Sequence, residues 1–204
     1  MDKEYEIYFP DNIQPECEFQ QDNKYRYCLE ITNDTCDDNR TLVALLMNPS
    51  KAGLNSSIFK DVCISDETVN LIIQAFYTTY RKIIIFNIFP VINSSSQDAE
   101  QYYSRHANEN MDHIREYVEG KSERSYDLLV ATGHFPRRYY NNYCDIMDLL
   151  SSKARMIRGR ELVKTGYAEH VNPPKGMSNN LNILIKNLIE YSWENHKLIP
   201  ETIN

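Results

Sequence analysis

The chain has 204 residues, 42% of them hydrophobic and 25% charged, which is ordinary for a globular protein and enough for one substantial core. A formal charge of −7 excludes a protein that coats nucleic acid by bulk charge, while leaving room for a local basic face. No stretch reaches the ~20 apolar residues of a membrane helix, the acidic opening MDKEYEIYF does not read as a signal peptide, and five cysteines with no CxxC pair point to reduced thiols in a cytoplasmic protein rather than to a metal or cluster site.

Residues 1–24, acidic and punctuated by proline, read as an N-terminal β extension to a single domain of residues 25–204. Tyr25 to Ile31 alternates as a half-buried strand does, and Asn33 to Asn39 is a polar turn. Four apolar runs follow: Thr41–Met47, Lys82–Phe89, Asp127–Thr132 and a weaker Glu161–Ala168. Helical patterns separate them. One is capped in Ser65-Asp66-Glu67-Thr68 and runs to about Tyr80, a second spans Ser96 to Glu119, and a third spans Pro136 to Leu150. Ser178 to Trp193, apolar at Leu181, Leu184, Ile185 and Leu188, reads as a final amphipathic helix. Strands alternating with helices in this way predict an α/β fold: a three-layer α/β/α sandwich around a short, mainly parallel four-stranded sheet. In such sheets the ligand crevice lies outside the carboxyl ends of the strands, here at NPS, NIFP, TGHF and EHVNPP.

Asn87 interrupts an otherwise apolar strand. A buried carboxamide needs partners, and its adjacent donor and acceptor match the Watson–Crick edge of a pyrimidine or the neighbouring backbone. Asn48 is placed to orient a water, and the loop it opens is placed to hold an anion, unless Asn48-Pro49 is simple punctuation. His170 could stabilise charge on a leaving base. Gly133 permits close backbone approach, and Asp66 and Thr68 are either a helix cap or polar groups delivered to the crevice. Lys153, Arg155, Arg158, Arg160 and Lys164, preceded by Arg137-Arg138, form a basic cluster that reads equally as a phosphate-contacting face or a solvated surface.

Asn48-Pro49-Ser50, Asn87-Ile88-Phe89-Pro90-Val91, a strand ending at Gly133 and His170-Val171-Asn172-Pro173-Pro174 together resemble the motif order of the uracil-DNA glycosylase superfamily. YRYCLEI, LLMNPSKAG, SDETVN and IIIFNIFPV are similar, more closely, to a bacterial and phage domain-of-unknown-function family, over roughly residues 25 to 192. Departures from the glycosylase pattern are Leu46 and Ser50 at glycine positions and Val171 after the histidine. The resemblance implies a hydrolase that excises a natural or modified pyrimidine flipped out of DNA, with Asn48 and His170 catalytic. Asn87 would read the base, Phe89 or Phe59 would stack on it, and Ser50, Pro49, Asp66, Thr68, Gly133 and Asn172 would line the site. No cofactor and no metal are implied, and the expected partner is DNA, met by a monomer. A nucleotide-binding or modified-base-binding module without turnover, or a nucleoside or nucleotide N-glycosidase, is the alternative.

Overall fold

A computed structural model describes residues 6–20, 24–59, 62–92, 96–121, 123–134, 137–162, 167–170 and 187–201. Its main sheet has eight strands: β2 (Ile13–Gln20), β3 (Tyr25–Asn33), β4 (Thr41–Leu46), β6 (Lys82–Asn87), β7 (Tyr126–Val130), β8 (Ala154–Gly159), β9 (Ile189–Glu194) and β10 (Lys197–Pro200), in the order β10-β9-β8-β7-β4-β6-β3-β2. A separate antiparallel pair joins β1 (Ile7–Tyr8) to β5 (Ile64–Ser65). The helices are α1 (Glu67–Phe76), α2 (Ser96–Glu119) and α3 (Tyr140–Lys153), the last preceded by a 3₁₀ turn at Arg137–Tyr139.

The short four-stranded sheet expected from sequence is therefore overturned. Within a larger mixed sheet, β6, β4, β7 and β8 run parallel, while β3 and β2 add antiparallel on one side and β9 and β10 on the other. The strand after β7 is Ala154–Gly159, not Glu161–Ala168. Its sequence ARMIRG hides a strand behind two arginines, which pair with acids on neighbouring strands: Arg155 with Asp127 and Arg158 with Glu190. Of the predicted strand Glu161–Ala168, residues 163–166 lie outside the described residues, and Leu162 and Ala168 form one antiparallel bridge.

The predicted last helix is also corrected where it is described. Residues 178–186 lie outside the described residues, and Ile189–Glu194 is a strand. Ile189, Tyr191 and Trp193 alternate with Glu190, Ser192 and Glu194, a pattern of period two that the leucines upstream masked. Asn195 and His196, at φ 49° and 61°, close a two-residue hairpin to β10. Left-handed values at both positions give the turn the twist that strand pairing needs.

The sheet divides two cores. α1 lays Val69, Ile72, Ile73 and Phe76 over Leu42, Ala44, Leu46, Ile83 and Ile85. α2 and α3 cover the opposite face, with Ile114, Val118, Tyr143, Ile146 and Met147 against Val43, Leu45, Ile84 and Phe86. The pairing of β2 with β3 carries an irregularity: Glu18 pairs with Cys28 but Phe19 pairs with Arg26, so Tyr27 is an extra residue. Across this bulge the faces exchange: Tyr25, Tyr27 and Cys28 pack toward α2 and α3, and Leu29 and Ile31 pack toward α1. Among the described residues no helix is long and apolar enough to cross a membrane.

Candidate functional site

The carboxyl ends of β6, β4 and β7 lie side by side. Leu46 is level with Asn87, the Phe89 N–H donates to the Met47 carbonyl at 2.8 Å, and the Ala131 N–H donates to the Leu45 carbonyl at 2.9 Å. The segments Asn48-Pro49-Ser50, Asn87-Ile88-Phe89 and Thr132-Gly133 thus leave one edge of the sheet together, as expected for a parallel core.

Asn87 is fully buried. Its backbone carbonyl accepts from Asn110 Nδ2 of α2 at 2.8 Å, and its side-chain Oδ1 accepts from Arg26 Nη2 at 3.3 Å. Arg26 also donates through Nη1 to the Ala52 carbonyl at 2.6 Å. The cationic donor fixes which way the carboxamide faces, leaving its Nδ2 as the group on offer. Among the described residues Nδ2 has no partner, and neither does Arg26 Nε. An unsatisfied buried donor costs about 1–3 kcal/mol, and two of them stand here on side chains joined by a hydrogen bond.

Arg26 is 1% exposed and makes no ion pair with a described residue. Burial lowers the proton affinity of its guanidinium, and Cys17, Asp66 and Cys28 oppose that shift. The two thiols stay protonated, burial raising each to about 12. Asp66, the carboxyl group whose charge bears on this guanidinium, is engaged elsewhere. Its Oδ1 caps α1 by accepting from the Val69 N–H at 2.8 Å, and its Oδ2 accepts from the Ser50 hydroxyl. Asp66 therefore caps the helix and also bonds the NPS loop through Ser50. Thr68 is half-buried in the first turn of that helix.

Asn48 is half-buried with Nδ2 3.5 Å from the Pro49 carbonyl, and Pro49 is buried. Gly133 adopts φ +65°, donates its N–H to the Ala168 carbonyl at 3.0 Å and backs on to His170, where an added Cβ would lie 3.3 Å from the His170 Cβ. The His170 carbonyl accepts from Arg160 Nη1 at 2.9 Å, and Arg160 pairs with Glu169 at 2.8 Å. Phe89 is a core residue, edge-on to Tyr139 at 5.0 Å. Phe59 is 55% exposed and edge-on to Tyr8. Asn172 lies outside the described residues.

The expected meeting of Asn48, Asn87 and His170 takes another form. They sit on neighbouring strand ends, and Gly133 brings His170 to that edge, but the hydrogen-bond partners of Asn87 are Arg26 and Asn110 rather than Asn48 or His170. Arg26 and Asn110 are the residues that sequence reasoning missed. An arginine inside a run of buried strand residues was the available signal for the first; nothing local marked the second. The basic cluster is largely spent on ion pairs through Arg155, Arg158 and Arg160, and Lys164 lies outside the described residues. Arg137 and Arg138, in the 3₁₀ turn after the β7 loop, are exposed. Among the described residues no group of three His, Cys, Asp or Glu is arranged to hold a metal.

A second polar cluster adjoins α2. His106 Nδ1 lies 2.7 Å from Glu109 Oε2 and 3.3 Å from the Tyr27 hydroxyl, which donates to the same carboxylate at 2.5 Å. These hydrogen bonds, that of His106 foremost, hold the Glu109 carboxyl below its usual range.

Comparison with known proteins finds no matching curated protein and no matching solved structure. A family profile described as "Protein of unknown function (DUF1643)" matches residues 26–171, from the buried arginine to the residue after His170. The chain belongs to the DUF1643 family.

Proposed function

We propose that the chain is a glycosylase-like hydrolase that excises a natural or modified pyrimidine flipped out of DNA. The observation that carries this reading is Asn87: a buried carboxamide at the end of a central parallel strand, oriented by a cation and holding an unspent N–H donor. A base in a duplex must be extruded before an enzyme can reach it, and it is then read along its hydrogen-bonding edge. Asn87 Nδ2 donates to a carbonyl on that edge. Asn48, at the next strand end, holds the water that attacks the sugar anomeric carbon. His170 lies at the leaving-group side, and the exposed Arg137 and Arg138 contact the phosphates. Asparagine is not a strong base, so positioning and charge stabilisation supply most of the rate.

The test incubates the protein with DNAs carrying uracil, hydroxymethylated or glucosylated pyrimidines, followed by alkali. Strand scission at the modified position is expected, lost in Asn48→Ala with DNA binding retained, and spread over other bases in Asn87→Ala. Both variants cutting at the wild-type rate would refute the assignment. One observation favours a second reading, a binding module without turnover. The carboxylate bonded to the NPS loop, Asp66, is committed to Ser50 and to the cap of α1, so it is not free to serve as a general base. Binding without abasic sites would identify that case. Base released from free nucleosides or nucleotides, with no need for polymer, would identify a monomer-specific glycosidase.

A further inference from the structure

We infer that Arg26 is a positioning residue which, acting through Asn87, makes the site select a ligand atom that bears negative charge. The inference rests on the base-excision reading and concerns how the departing base is stabilised. Three observations carry it. Arg26 is buried, and among the described residues no carboxylate contacts it. Its Nε and the Nδ2 of Asn87 are buried donors without acceptors among the described residues, on two side chains joined by a hydrogen bond. The strand bulge at Tyr27 turns this arginine to the α1 side of the sheet, so its placement depends on a specific irregularity rather than on chance exposure.

A buried cation is costly unless something negative meets it, and the charged and titratable groups around this one do not suffice. Cys17 of β2 and Cys28 of β3 are neutral thiols, and Asp66 ahead of α1 is bonded to Ser50 and Val69. The ligand completes the charge balance. In excision, the water oxygen bonds to the anomeric carbon and the carbon–nitrogen bond breaks with its electron pair passing to the base. The water gives up its proton to solvent, and the base, leaving as an anion, later takes one up. Negative charge on the base gathers on the carbonyl oxygen that Asn87 Nδ2 contacts. A guanidinium on the far side of that carboxamide polarises the amide toward the developing charge, and both side chains are buried, where such an interaction is screened less than in water.

Free pyrimidine bases of graded N–H acidity test this directly: 5-methyl-, unsubstituted, 5-fluoro- and 5-nitrouracil, titrated calorimetrically into the full chain at several pH values. Wild-type affinity is expected to rise at least tenfold along the series, and for each base to rise as pH passes through that base's own ionisation. Arg26→Met should flatten the trend, and Arg26→Lys, which keeps the charge, should restore part of it. Circular dichroism melting establishes that both variants are folded. The wild-type series decides the matter even where a variant does not fold. Equal affinity along the series would overturn the inference and leave base excision standing, as would an unchanged trend in a folded Arg26→Met. No binding of any base, or displacement by inorganic phosphate alone, would remove the base-excision reading together with this one.

Discussion

Gly133→Ala is the perturbation whose size can be worked most directly from the geometry. Gly133 sits at φ +65°, where an L side chain costs about 1–2 kcal/mol, and its new Cβ would stand 3.3 Å from the His170 Cβ. That spacing is tighter than ordinary contact, so the Ala168–His170 segment has to give way by a few tenths of an ångström. The total is about 2 kcal/mol. At about 2.1 cal/mol/K of unfolding entropy per residue, a chain of this length loses roughly 5 °C in Tm. Gly120→Ala is the control. The nearest atoms to its Cβ are carbonyl oxygens at 3.4 and 3.6 Å, and its φ is not positive, so reduced unfolded-state freedom should hold or raise Tm. Thermal unfolding followed by circular dichroism measures both. A Gly133→Ala protein melting within a degree of wild type, or an equal loss in Gly120→Ala, would show that the left-handed backbone and the His170 contact carry no energy.

Further outcomes concern the loops around the site. The Glu6 carboxyl is held at about 2, below its ordinary 4.5, by the Ser56 hydroxyl first and then by the Ser57 hydroxyl and N–H. A depressed folded-state value means that the anchor is complete above 4.5 and is lost as pH falls from there through about 2. Protection of the Ser57, Ile58 and Phe59 amides relative to their intrinsic exchange rates should therefore fall across that window, and Glu6→Gln should show no such fall. Asp66→Ala removes both the cap on Val69 and the acceptor for Ser50, and should cost about 1–2 kcal/mol in urea unfolding, against well under half that for Ser50→Ala. Equal losses would mean that the cap contributes little. Asn87→Asp gives Arg26 a carboxylate partner and should melt no lower than wild type while losing base binding, since it exchanges a donor for an acceptor.

The parallel centre of the sheet was legible because β4, β6 and β7 are continuous apolar runs ended by Pro or Gly, the pattern that burial on both faces imposes. The flanking strands were not. β8 carries arginines satisfied by Asp127 and Glu190 from elsewhere in the chain, and β9 shares residues with a helical repeat that only its hairpin turn resolves. In the site, Asn87 stood out because one carboxamide in an apolar strand demands an explanation. Arg26 did not, because period-two alternation places it opposite Tyr27 and Leu29, and a bulge defined by pairing with β2 is what reverses it. Asn110 lies on a helix, where a polar residue is unremarkable until the packing face is known.

The sheet order has a consequence for how the molecule can be assembled. β4 lies between β6 and β7, strands that come after it only across long crossovers, whereas β2–β3 and β9–β10 join strands close in sequence. Local hairpins close quickly and non-local parallel pairings late, so the edges are expected to zip before the middle. The strand ends from Arg26 to His170 meet only when that middle has closed. A fragment lacking either half should therefore bind nothing, and two separately expressed halves should regain binding only on mixing, at a rate that depends on their concentrations.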